Sequence, residues 1–221
     1  MTGDVSPATY TMRPHTYVVP AGRRWWRVHT ARRPAGQFKP AAPGARFCGN
    51  RFDGTPRDPY GSLYMASDPA TALAETLLRS VDFDAGSGMR LVPYAAVAGR
   101  ALSMLVTEAE LRLISLITEE DLAAVCQDSW LLEAEGEHYA TTRRWASAMR
   151  ARSPDAMGLV WQSRRHRPRL SSVLFRDRCP DAVVSPVRVR AYRDLGSPRG
   201  IAEANLLLAP LRAAIVPPWP Q

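Results

Sequence analysis

Lysine is nearly missing from this sequence. Lys39 is the only one, although Lys and Arg together number 29 against 21 Asp and Glu, so arginine carries the net charge of +8. A GC-rich genome produces the same skew, so only part of it speaks to function. The remainder describes a surface that attracts phosphates, nucleic acid or an acidic protein partner. Cysteine is scarce as well. Cys48, Cys126 and Cys179 are odd in number and lack C-x-x-C spacing, which argues against a disulfide framework or a zinc site and suits a reducing cytoplasm. His15, His29, His138 and His166 form no H-E-x-x-H pair, so no metal site is expected. Neither G-x-G-x-x-G nor G-x-x-x-x-G-K-[ST] occurs, so a bound nucleotide is not expected to sit in a Rossmann or P-loop site. No stretch approaches ~20 apolar residues, and no charged segment precedes an apolar run at the start. Neither a membrane span nor a signal peptide is expected.

What is present suits one domain. The chain has 221 residues, 46% of them hydrophobic, enough for a single sizeable core. Residues 1–22 are rich in Pro, Thr and Gly and read as an extended N-terminal arm, leaving 23–221 as the domain. Residues 25–29, W-W-R-V-H, read as a first strand whose two tryptophans face opposite ways, with Arg27 on the face of Trp25. Residues 31–61 form a long Pro- and Gly-rich loop, and loops of that length are often functional. Strands are expected at 100–107, 110–116, 158–162, 172–176 and 183–192, with 81–99 irregular. Helices are expected at 119–127 behind a Thr118 cap, at 138–152, and at 201–208 before Pro210. A basic turn, S-R-R-H-R-P-R, occupies 163–169.

The centre of the chain is residues 64–79, Y-M-A-S-D-P-A-T-A-L-A-E-T-L-L-R. A strand over 63–65 leads to Asp68 at an N-cap position and Pro69 at the first helical position. The helix then has Leu73 and Leu77 on one apolar edge and Ala74 and Leu78 beside it. Glu75 is a lone carboxylate among them. An ordinary i, i+4 surface pair with Arg79 is one reading of it; a carboxylate facing a cleft is the other.

Four features stand in order. They are an arginine in the first strand (W-R-V, 26–28), R-F-D in a Gly-rich loop (51–53), L-Y-M-A-S-D-P-A-T-A-L-A-E (63–75), and a serine closing a strand (G-L-V-W-Q-S, 158–163). Over residues 25–178 the chain resembles the RES-domain family, named for its Arg, Glu and Ser. Tyr139-x-x-Thr142 looks like the family's Y-P-x-T-Q segment, with Ala140 and Arg143 standing for the Pro and Gln. The resemblance implies an α+β fold similar to that of ADP-ribosyltransferases, with a small mixed or antiparallel sheet and surrounding helices. It implies a cytoplasmic toxin of a bacterial toxin–antitoxin pair, whose helix-turn-helix, Xre-type antitoxin blocks the active site. It also implies cleavage of NAD at the nicotinamide–ribose bond by phosphate or by water. NAD is then a substrate, inorganic phosphate a co-substrate of the first route, and no cofactor is permanently bound. One branch of the family instead transfers ADP-ribose to a protein.

The residues suit that chemistry. Loss of nicotinamide leaves positive charge on the ribose, which a fixed carboxylate steadies; Glu75 is the candidate. Arg27 and Arg51 are candidates for the pyrophosphate or for the attacking phosphate, because guanidinium binds phosphate with two bonds. Arg46 competes with Arg51 as the loop arginine, and R-F-D favours Arg51. Tyr64 is expected to stack on nicotinamide or ribose, or to be a core tyrosine. Ser163 is expected to donate a hydrogen bond to substrate, or to cap the turn. The catalytic candidates are therefore Glu75, Arg27 and Ser163, and the binding candidates are Arg27, Arg51, Tyr64 and Ser163. A protein ADP-ribosyltransferase is the alternative in the same fold. A basic, non-catalytic nucleic-acid module is the alternative of another class; under the leading reading nucleic acid is reached only through the antitoxin.

Overall fold

The first strand organises the sheet because its alternating residues face two different cores. In the computed structural model, which describes residues 7–41, 49–187 and 192–218, this strand is β2 (Arg24–Thr30), preceded by β1 (Thr16–Val19). Trp25 is buried in one hydrophobic cluster and Trp26 packs against another. The chain continues through β3 (Ser62–Ala66), α1 (Pro69–Leu77), β4 (Arg90–Pro93), β5 (Arg100–Thr107) and β6 (Leu111–Leu116). Then come α2 (Glu119–Ala124), α3 (Trp130–Glu133), α4 (Tyr139–Arg152), β7 (Gly158–Gln162) and β8 (Leu170–Phe175). It closes with β9 (Val184–Pro186), β10 (Tyr192–Asp194), α5 (Pro198–Leu208) and β11 (Ala213–Val216).

The main sheet has nine strands among the described residues, in the order β1-β6-β7-β8-β3-β2-β5-β10, with β9 also paired to β5. The β6–β7 pair is parallel and its neighbours are antiparallel. The fold is thus α+β with a mixed sheet, larger than the small one expected. One join in it is weak. β2 follows β5 through seven register pairs, from Arg24↔Val106 to Thr30↔Arg100, yet meets β3 only at Trp26↔Ala66. Beyond that point β2 and β3 part, and α1 packs across both.

Three strands lie where none was expected. β1, within the stretch read as an arm, pairs antiparallel with β6, and Met12 just before it is buried. β4 lies in the stretch read as irregular and pairs in parallel with β11. Each is four residues long, too short for alternation to register in the sequence. The expected strand over 183–192 is replaced by β9 and β10, and 188–191 lie outside the described residues. Two helices end sooner than expected, α1 at Leu77 and α2 at Ala124.

Helix α1 starts as its sequence dictates. The Asp68 carboxylate accepts from Thr71 N–H at 2.9 Å and from the Thr71 hydroxyl at 2.6 Å. Burial pushes the Asp68 pKa up, but Thr71, Ser67 and His166 outweigh it, so the carboxyl sits below its ordinary value of 3.8. A depressed folded-state pKa adds stability that is present above the unfolded value and lost as pH falls through the folded one. Asp68→Asn, which keeps a good cap, should therefore flatten the fall of Tm on acidification below 3.8. An unchanged acid limb would show that this carboxylate does not couple α1 to pH.

Candidate active site

Where β2 and β3 separate, a cleft of about 520 Å³ opens beneath α1, a size typical of small-molecule sites. Arg27, Arg33, Lys39, Arg51, Arg79 and Arg100 line it, and Glu75 is its one carboxylate among the described lining residues. Lys39 is already neutralised by Asp53 at 3.0 Å.

Glu75 projects from α1 into this cleft and is half-buried. It does not pair with Arg79. Instead Ser163 Oγ donates to Glu75 Oε1 at 2.6 Å. The Ser163 hydroxyl in turn accepts from the backbone N–H of His166 at 3.0 Å and of Arg165 at 3.3 Å. The serine therefore caps the basic turn and aims the carboxylate at once. It is fully buried and stands behind Glu75. The turn is held at a second point, where His166 Nδ1 meets Thr71 Oγ1 at 2.8 Å. Ser163→Ala should lower kcat for the reaction proposed below about ten- to hundredfold, the usual loss from misplacing a reacting group, with KM little changed. A variant with normal kcat and only reduced stability would reduce Ser163 to a turn residue.

The R-F-D loop fixes Arg51. Phe52 is fully buried, edge-on to Trp161 at 5.1 Å. Its N–H donates to the Tyr64 hydroxyl at 3.0 Å, and its carbonyl accepts from the Tyr60 hydroxyl at 3.0 Å. The Asp53 carboxylate accepts from Asn50 N–H and Ser62 Oγ, each at 2.8 Å. Burial works to raise its pKa, but these donors and Lys39 hold it below the ordinary value. Arg51, so held, is 4% exposed and its Nη2 donates to Ala134 O at 3.2 Å. Its Nε is buried without a partner. Burial pushes the Arg51 pKa down, Tyr139 works against that, and the Arg79 charge adds to the lowering. Arg46 lies outside the described residues.

Arg27 lines the cleft from β2. Its Nη1 donates to Ala35 O and Gln37 O, each at 2.7 Å, pinning the start of the long loop. Burial, then the nearby Arg33 charge, lowers its pKa to about 10. Tyr64 is half-buried along the cleft wall, T-shaped to Trp161 at 6.4 Å. Burial pushes its inward hydroxyl well above the ordinary pKa, so Tyr64 presents a neutral ring.

The basic turn is less free than its sequence implies. Arg164 bonds Glu135 Oε1 at 2.5 Å and Glu133 O at 2.7 Å, and Arg167 bonds Glu133 Oε1 at 2.6 Å. Arg165 donates to Arg79 O. Arg79 also lines the cleft at this end, over the buried ring of Tyr139, and sequence reading gave neither a role there. The Arg79 guanidinium lies 5.6 Å from the Tyr139 ring centroid. The only sequence signal was Tyr139-x-x-Thr142, whose threonine hydroxyl donates to Arg51 O at 2.7 Å.

The chain is similar to a chain in the crystal structure of the M. tuberculosis MbcT–MbcA toxin–antitoxin complex. The TM-score is 0.60 at 17% identity, covering 87% of this chain and 92% of that one, which shows a shared fold. No curated protein matches. The family model described as RES domain matches residues 24–195, so the chain belongs to the RES-domain family.

Proposed function

We propose that this protein is the toxin of a toxin–antitoxin pair and destroys NAD by cleaving its nicotinamide–ribose bond. The observation that carries the reading is Glu75, held by Ser163 at 2.6 Å in a cleft whose other charged lining residues are all cationic. The dinucleotide brings two negative charges on its pyrophosphate, which Arg51 and Arg27 complement. The ring of Tyr64 offers a flat face to nicotinamide or ribose. As the C1′–N bond breaks, its electron pair leaves with nicotinamide, and the ribose carbon becomes cationic. Glu75 steadies that charge in a partly desolvated site, where a fixed carboxylate counts for more than in water. An oxygen of inorganic phosphate, or of water, then bonds to the same carbon; with water, a proton passes to solvent.

The relative of similar fold was solved in a toxin–antitoxin complex. A protein that consumes its host's NAD requires such a silencing partner, and a helix-turn-helix, Xre-type antitoxin fits that role. Acidic groups entering the cleft would meet Arg27, Arg33 and Arg79; on the 163–169 turn, Arg164 and Arg167 are already engaged by Glu135 and Glu133.

The test is NAD consumption by purified protein, followed as nicotinamide release with and without inorganic phosphate. Release that requires phosphate identifies phosphorolysis, and release without it identifies hydrolysis. Labelling of an added protein with little free NAD loss would point to ADP-ribosyl transfer. No NAD loss at all, with salt-sensitive nucleic-acid binding instead, would overturn the enzymatic reading.

A further inference from the structure

The inner end of the cleft holds more positive charge than its neighbours satisfy. Arg51 is 4% exposed, has one hydrogen bond through Nη2, and leaves Nε buried without a partner. Arg79 is half-buried, and its guanidinium makes no hydrogen bond or ion pair among the described residues. The two guanidiniums share the ring of Tyr139, at 5.7 Å for Arg51 and 5.6 Å for Arg79. Carboxylates lie close by but are diverted. Glu133 and Glu135 flank Ala134, whose carbonyl Arg51 contacts, yet they pair with Arg167 and Arg164. Glu75 is bonded to Ser163. A desolvated cation with no counterion is costly. An aromatic face offsets only part of that cost. An anionic ligand would offset the rest.

We propose that Arg79 and Arg51, which both contact the Tyr139 ring, form the cradle for the pyrophosphate of the dinucleotide. Arg79 is then a binding residue and Tyr139 a positioning residue whose ring orients both guanidiniums. The inference rests on the NAD reading above. It shares the work differently: Arg27, whose Nη1 is spent on Ala35 and Gln37, mainly shapes the loop, and Arg79 supplies the second fork. Because the Tyr139 hydroxyl is fully buried, the ring rather than the hydroxyl has the role.

ADP-ribose is the probe, since it keeps the pyrophosphate and lacks the bond to be cleaved. Titration calorimetry on the full chain should show Arg79→Ala weakening ADP-ribose about tenfold or more, with Arg79→Lys recovering part of the loss. Tyr139→Phe should bind within about threefold of wild type, and Tyr139→Leu should fall with Arg79→Ala. In NAD turnover, Arg79→Ala and Tyr139→Leu should raise KM more than they lower kcat. Wild-type ADP-ribose binding by Arg79→Ala overturns the proposal, as does a Tyr139→Phe variant as weak as Tyr139→Leu. Arg79 lies past the end of α1, so its variants test the idea even if Tyr139→Leu fails to fold. NAD turnover with an unchanged KM in Arg79→Ala defeats this inference alone. A wild type that neither binds ADP-ribose nor consumes NAD defeats the functional reading with it.

Discussion

Glu75→Gln should reduce NAD cleavage by about a thousandfold or more, the scale seen when a preorganised electrostatic partner of a transition state is removed. The substitution is nearly isosteric. Its amide oxygen can still accept from Ser163 Oγ, which now lies 2.6 Å from Glu75 Oε1, so the turn and the helix stay in place. What is lost is the negative charge opposite the ribose carbon as nicotinamide departs. ADP-ribose binding should survive, because the pyrophosphate is held elsewhere in the cleft. The measurement is nicotinamide release by wild type and variant at matched Tm. Turnover within tenfold of wild type would remove Glu75 from the chemistry.

Phe52→Ala should cost about 3–5 kcal/mol, the usual result of emptying a buried aromatic site. At about 2–4 °C per kcal/mol for a chain of this size, Tm falls by roughly 10 °C. The reason lies in what the ring touches. Phe52 is fully buried against Trp161 at 5.1 Å, and its backbone holds the hydroxyls of Tyr64 and Tyr60. Arg51 precedes it directly, so losing the ring also unseats a guanidinium that has a single hydrogen bond of its own. Activity should therefore fall at temperatures where the variant remains folded. Thermal melts together with NAD turnover well below Tm check both parts. An Arg51 that still supports normal KM in Phe52→Ala would show that the loop is held by Asp53 and Thr142 alone.

Much of the site was legible because its elements are local. The cap at Asp68, the proline after it and the apolar spacing behind it place Glu75 on a helix following a strand, and the structure has that helix from Pro69 to Leu77. The two tryptophans at 25 and 26 do part to opposite faces, into separate clusters. What escaped depended on distance along the chain. β4 and β11 pair in parallel although more than a hundred residues separate them, and neither has enough alternation to stand out. Tyr139 and Arg79 meet through the end of one helix and the start of another.

The sequence by itself determined the family, the strand–turn–helix that carries Glu75, and the loop and turn that supply Arg51 and Ser163. These follow from capping, periodicity and short motifs, which act over a few residues. Only the tertiary structure decided which groups face one another: that Ser163 turns to Glu75, that Arg27 is occupied by loop carbonyls, and that Arg164 and Arg167 are already paired. Partner choice among charges is set by distance and burial, because a Coulomb interaction gains most where water is excluded, and that exclusion exists only once the chain has folded.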